Sequence, residues 1–306
     1  MARQLEKRFL STRARVALLS LLCVVAVVIW ASRRSDPVTN DAAKAISVSK
    51  PIEPIAVSLA PLGEQIGPHA LEPVLELARK ALSQLQIEVE DYTGRMIKRE
   101  RINGTLGSEV QMEFKIRTRR EADGMRSRPL SAYLKFLEPK SARGREIVWT
   151  EAANKNRLTG HEGGFLNLMR IELDPTGMLA MLDNKYPITE LGLTRLVEKL
   201  IEKGERDRKV GPCEVHVVEG ERVGDRVCQL IQVTHPERDP RFDFHIAQIF
   251  IDTERMIPLR YAAFLWPKEV GGEPQLEEEY TYLDVKLNVG LTDADFDPNN
   301  PAYNFP

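Results

Sequence analysis

Cysteine is scarce, with three in 306 residues, which leaves room for one disulfide at most. Cys23 follows Leu21-Leu22 and lacks the small residues that a lipid-attachment site needs, so it reads as apolar filler. Gly-x-Ser-x-Gly, Walker A and His-Glu-x-x-His sequences are absent, and with them the motif-borne routes to a serine hydrolase, a phosphate-loop NTPase or a zinc protease. No internal repeat is present, and no low-complexity segment outside residues 32–69. Net charge is small, −2, but uneven. Residues 1–34 hold seven Lys/Arg against Glu6, a net of +6, which leaves −8 for the remainder. An acidic main body argues against nucleic acid as the principal partner.

What the chain does have is a globular composition, 42% hydrophobic and 29% charged, enough for a sizeable core. Residues 1–15 form a basic region. Residues 16–31, VALLSLLCVVAVVIWA, are apolar and uncharged. They read first as an uncleaved signal anchor with its basic end in the cytoplasm, and alternatively as a cleaved signal peptide. Residues 32–69 are rich in Pro, Ala and Ser without a sustained period, as in an extended tether. The folded body is expected over 70–306.

That body is organised around 131–151. Ala132, Leu134 and Phe136 alternate with Tyr133 and Lys135, the period of a half-buried strand. Pro139 and Gly144 break the run, and Glu146-Ile147-Val148-Trp149 resumes it as the second arm of a hairpin. The clearest strand is 109–117, with Val110, Met112, Phe114 and Ile116 on one face and charged residues on the other. Strands are also expected at 89–100, 214–222, 226–235, 242–251, 258–266 and 276–287, with weaker ones at 157–161 and 165–173. An amphipathic helix is predicted over 71–85. A second is predicted over 189–203, capped by Thr189, stopped by Gly204, and laid over the concave face of the sheet. A strongly twisted antiparallel sheet that curls on itself follows.

Four stretches resemble the LolA-like superfamily, the periplasmic lipoprotein-carrier fold, and more closely an envelope family of that kind known mainly from planctomycetes. They are Tyr133-Leu134-Lys135-Phe136-Leu137-Glu138-Pro139 with Gly144-Arg145-Glu146; Tyr186-Pro187-Ile188-Thr189; Ile251-Asp252-Thr253-Glu254-Arg255-Met256-Ile257-Pro258; and Leu291-Thr292-Asp293-Ala294-Asp295-Phe296. The resemblance implies an unclosed antiparallel β-barrel with helices covering its concave face, behind an N-terminal membrane segment. It also implies an apolar cavity for acyl chains, but it transfers no substrate.

The expected cavity lining is Val110, Met112, Phe114, Ile116, Leu134, Phe136, Trp149, Leu196 and Leu200, with ordinary core as the competing reading of the same residues. The leading expectation is therefore a non-catalytic envelope protein that binds a lipid, a lipoprotein acyl chain or a similar apolar ligand. It would be held to the inner membrane by residues 16–31, or secreted to the periplasm if they are cleaved, and would need no cofactor. A membrane-anchored sensor that binds an envelope protein partner is the alternative. A metal-assisted hydrolase is a weaker one, drawn from His235, Asp239, Asp243 and His245, whose spacing fits no fixed metal motif. His161 reads as a loop residue. Asp293, Asp295, Asp297 and Asn299 imitate an EF-hand opening, but Pro298 stands where Gly is needed and Asn304 where Glu is needed. A turn capped by Thr292 explains them better. For Cys213 and Cys228 the turn decides. Gly220-Glu221 would oppose the thiols, whereas the favoured Gly224-Asp225 sets Cys228 opposite Glu221 and leaves both free.

Overall fold

The computed structural model describes residues 69–306 apart from 123 and 124. The basic region, the apolar segment 16–31 and all of the tether but residue 69 lie outside the described residues. Among those described, no helix is long and apolar enough to cross a membrane.

The first helix, α1 (Glu72–Glu88), starts with Pro in its first turn, where the missing N–H costs nothing. Leu75, Ala81 and Leu85 are buried. The strands follow as β1 (Asp91–Ile102), β2 (Thr105–Leu106), β3 (Val110–Arg117), β4 (Arg120–Ala122), β5 (Met125–Arg128), β6 (Ser131–Glu138), β7 (Glu146–Thr150), β8 (Leu158–His161) and β9 (Ile171–Leu173). Two helices come next, the single turn α2 (Met178–Met181) and the longer α3 (Leu193–Asp207). The chain then returns to strands in β10 (Glu214–Val223), β11 (Arg226–Thr234), β12 (Ile246–Asp252), β13 (Pro258–Leu265) and β14 (Gln275–Leu287).

One antiparallel sheet runs β10-β11-β12-β13-β14-β1-β3-β6-β7-β8-β9, with β2 beside β1 and a separate β4-β5 hairpin. It consists of two meanders joined where β14 pairs with β1. Its end strands, β10 and β9, do not pair with each other, so the sheet is open. The segment that joins those two ends must cross the sheet, and α3 lies in it. The register carries one apolar face from strand to strand. Tyr92 pairs with Ile116, Ile116 with Ala132 and Ala132 with Trp149, while Phe114 pairs with Leu134. The opposite face of β6 and β7 is covered too. Tyr133 and Val148 pack with Phe296, and Tyr303 stacks on Tyr133 at 4.0 Å. Thr292 closes a capping box with Asp295, so the acidic 293–299 stretch holds a turn in place.

Several expectations need correction. The second helix begins four residues later than expected, at Leu193, because 188–190 forms a separate 3-10 turn. Thr189 is therefore not its cap. Gly192 stands there with φ +119°, and the Tyr92 hydroxyl accepts the Leu193 N–H at 2.8 Å. Gly204 does not stop the helix. It lies inside it, where a Cβ would sit 2.9 Å from Leu75 Cδ2, so its absence eases the close approach of α1 and α3. Of 165–173 only Ile171–Leu173 is strand. His161 is no loop residue. It ends β8 in full burial, with Nε2 3.3 Å from Glu146 Oε2 and its ring against Phe305. The β10–β11 register sets Cys228 opposite Glu221, and Cys213 and Cys228 are free and buried.

Candidate ligand-binding site

Both helices lie against one face of the sheet. Leu193 and Val197 of α3 and Leu85 of α1 join Tyr92, Met112 and Phe114 in one buried cluster. Leu71, Leu75, Ile231, Val233, Ala247 and Ile249 form a second, with Leu196, Leu200 and Ile201 of α3 reaching into it. In this second cluster the packing leaves an apolar cavity of about 80 Å³ between α1, α3 and β11–β13. Its walls include Val74, Leu75, Val197, Leu200, Ile231 and Ile249. Lys203 and Asp207, both on α3, are its charged neighbours.

The nine residues expected to line a cavity divide unevenly. Met112, Phe114, Ile116, Leu134 and Phe136 sit in the first cluster as close-packed core, with Val110 and Leu196 against it. Phe114 is clamped edge-on between Tyr92 and Tyr282, each ring centroid 5.8 Å away. Trp149 is buried opposite Ala132. Leu200 alone also lines the cavity. The β11–β13 residues were missed for a physical reason. β12 is buried at six of its seven positions and β13 at seven of eight, so neither shows the alternation that exposes a half-buried strand. Their signal is the predominantly apolar runs of β12 and β13, interrupted only by Gln248 and Arg260 before their ends, read together with the α1 stripe Leu71, Val74, Leu75 and Ala78.

Asp207 is almost fully buried, and burial pushes its carboxyl up against the pull of Arg206, which bonds it at 3.0 Å. His235 is buried beside it. Its Nδ1 lies 3.1 Å from the Phe244 carbonyl oxygen, which can only accept, so Nδ1 carries the proton. Nε2 lies 3.7 Å from Asp207 Oδ2 without a hydrogen-bond partner. Burial lowers His235 to about 4, against about 6.5 for an unperturbed histidine. Between those values the unfolded chain binds the proton and the folded chain does not. This contribution to stability is full above about pH 6.5 and is lost as pH falls toward about 4. Buried Asp207, raised instead, works in the opposite sense. The comparison with His235→Asn isolates the histidine. In urea unfolding at pH 7.5 and 5.5 the wild type should lose about 1 kcal/mol more than the variant, and equal losses would remove the argument.

The four residues considered for a metal do not act together. Asp239 is held by Arg241 at 2.6 Å, and Asp243 pairs with Arg206 at 3.0 Å and Lys203 at 3.5 Å. His245 Nδ1 bonds the His235 carbonyl at 2.8 Å while its ring stacks on Trp266. Among the described residues no group of three or more His, Cys, Asp or Glu is placed to hold a metal ion.

Three solved structures show the range of similarity. A LolA superfamily protein of Nitrosomonas europaea is 12% identical, with 76% of this chain and 98% of that one covered, at a TM-score of 0.29. The lipoprotein LppX of Mycobacterium tuberculosis is 12% identical, over 74% and 100%, at 0.38. The MucA/MucB complex of Pseudomonas aeruginosa gives 15% identity, over 73% of this chain and 60% of that one, at 0.41. No curated protein matches the chain. The model of one family matches residues 89–305, from the end of α1 through the whole sheet to the C-terminal turn; the chain therefore belongs to the family described as "Protein of unknown function (DUF1571)".

Proposed function

We propose that this protein binds an apolar chain, from a lipid or a lipoprotein, beneath α1 and α3, by burial and without covalent chemistry. The observation that carries this reading is the apolar cavity where both helices meet β11–β13. As it stands, about 80 Å³ is too small. An apolar cavity of about 150 Å³ is what a single benzene ring occupies. Binding therefore requires α1 and α3 to move apart. Each methylene buried contributes about 0.8 kcal/mol, so a chain of about twelve supplies roughly 10 kcal/mol to offset that opening. The LolA-like resemblance of the sequence agrees with such a site. It also supports work in the bacterial envelope, at the inner membrane if residues 16–31 remain as an anchor.

Mass spectrometry of molecules extracted from the purified protein should find a lipid. Val74→Glu and Leu200→Glu, at half-buried positions of the cavity wall, should each weaken binding of a fluorescent fatty-acid analogue at least tenfold. The exposed control Lys140→Glu should not. Unchanged binding by both folded wall variants would refute the site.

A second reading, a partner-protein surface, is favoured by one feature. Among the described residues, seven large apolar side chains between Phe165 and Leu182 are exposed, Phe165, Met178, Leu168 and Met169 most prominently. Changing Phe165 and Met178 together to Ser should leave lipid binding intact. Loss of a co-purifying envelope protein in that variant would support the second reading, and retention of every partner would count against it.

A further inference from the structure

A second, larger concavity shares the β11–β12 loop with the first. The β1–β2 turn, the β11–β12 loop and the β13–β14 loop enclose a groove of about 750 Å³, within the roughly 300–1,000 Å³ usual for small-molecule sites. Three cations line it, Arg101, Arg238 and Lys268. Arg101 is held in place by the Leu276 and Gly104 carbonyls, to which its Nη2 and Nη1 donate at 2.9 Å. The nearest carboxylate to it, Glu277, stands 3.5 Å away and is itself held by Lys185 at 2.7 Å. Arg238 and Lys268 are exposed and have no hydrogen-bond or ion-pair partner among the described residues. The one carboxylate in the wall, Asp239, is already taken by the Arg241 fork, at 2.6 and 2.9 Å. Glu237, Glu269 and Glu273 belong to the same loops but not to the wall. The apolar part of the lining includes Phe242 and Trp266, and the Trp266 Nε1 has no acceptor.

The partition between groove and cavity is one loop. Phe242 lines the groove and Phe244 lines the apolar cavity. The His235 ring stacks on Phe242 at 3.8 Å and leans on Phe244 at 4.8 Å. A molecule with an anionic head and an apolar tail would meet compatible chemistry on each side of that loop. Two guanidinium groups and an ammonium favour phosphate, because guanidinium donors match its oxygens two at a time and the charge strengthens each bond.

The geometry points to this groove as the seat for the phosphate-bearing head of an amphiphile whose chain enters the apolar cavity. The assignment rests on the apolar-ligand reading above and extends it to a class of ligand. Arg238 and Lys268 are its contacts, and Arg101, whose charge is shared with Glu277, is a fixed group of the wall.

The test compares a lysophosphatidate with a monoacylglycerol of the same chain, by calorimetry on the purified protein, together with inorganic phosphate alone. The wild type should bind the phosphate-headed lipid about tenfold or more tightly than the neutral one. In the double variant Arg238→Ser/Lys268→Ser, both at exposed positions that should leave the fold intact, that preference should vanish while monoacylglycerol binding stays as in the wild type. Equal binding of both lipids by the wild type would overturn the head-group assignment and leave the apolar site standing. Inorganic phosphate binding as tightly as the lipid would overturn the lipid source in favour of the free anion. Failure of both lipids to bind would overturn the apolar reading and this inference with it.

Discussion

Leu193→Ala should lower the stability of the domain by about 2–5 kcal/mol, whereas Leu196→Ala should cost clearly less. Leu193 is fully buried at the first position of α3, in the cluster that contains Tyr92, Met112 and Phe114. Phe114 of the same cluster is fixed between two tyrosine rings, which hinders it from filling the space left. Leu196 is only half-buried and packs at the junction of the two clusters. The same helix start depends on Tyr92, whose hydroxyl takes the Leu193 N–H. Tyr92→Phe leaves that buried donor unpaired, at a cost of about 1–3 kcal/mol. Urea unfolding of the three variants measures all of this. If Leu196→Ala proved as costly as Leu193→Ala, α3 would be seated on the sheet in a different rotation.

The sequence showed most where one strand face is polar. Along β3 the charged residues Glu113, Lys115 and Arg117 announce the apolar Met112, Phe114 and Ile116. The β10–β11 turn followed from Gly224, and with it the separation of the two thiols. What the pattern could not show was which part of the apolar face is packed solid. Phe114 and Ile249 are equally plausible in sequence, and only the placement of α1 and α3 separates core from cavity. The start of α3 was obscured because Gly192 and a tyrosine hydroxyl from another element replace the side-chain cap that Thr189 seemed to offer. Lys115 looked like a plain solvent-facing residue. It is bonded to Asp295 at 2.7 Å under the Tyr303 ring, because the C-terminal turn covers that face. No local periodicity reports a contact made 180 residues away.

If ligand enters by separation of α1 from α3, a reversible lock across that seam should block it. The crossing at Leu75 and Gly204 is suited to one, since Leu75 Cγ, whose place the sulfur of a Leu75→Cys variant would take, lies 3.6 Å from where a 204 Cβ would stand. The native thiols should not interfere, because both are buried, and burial pushes Cys213 up to about 12 and Cys228 up to about 11. The measurement is binding of a fluorescent fatty-acid analogue to the Leu75→Cys/Gly204→Cys protein, oxidised and then reduced. No binding is expected with the helices locked, and recovery to near wild-type affinity on reduction. Full binding by the oxidised protein, with the cross-link verified by mass, would contradict entry by helix separation.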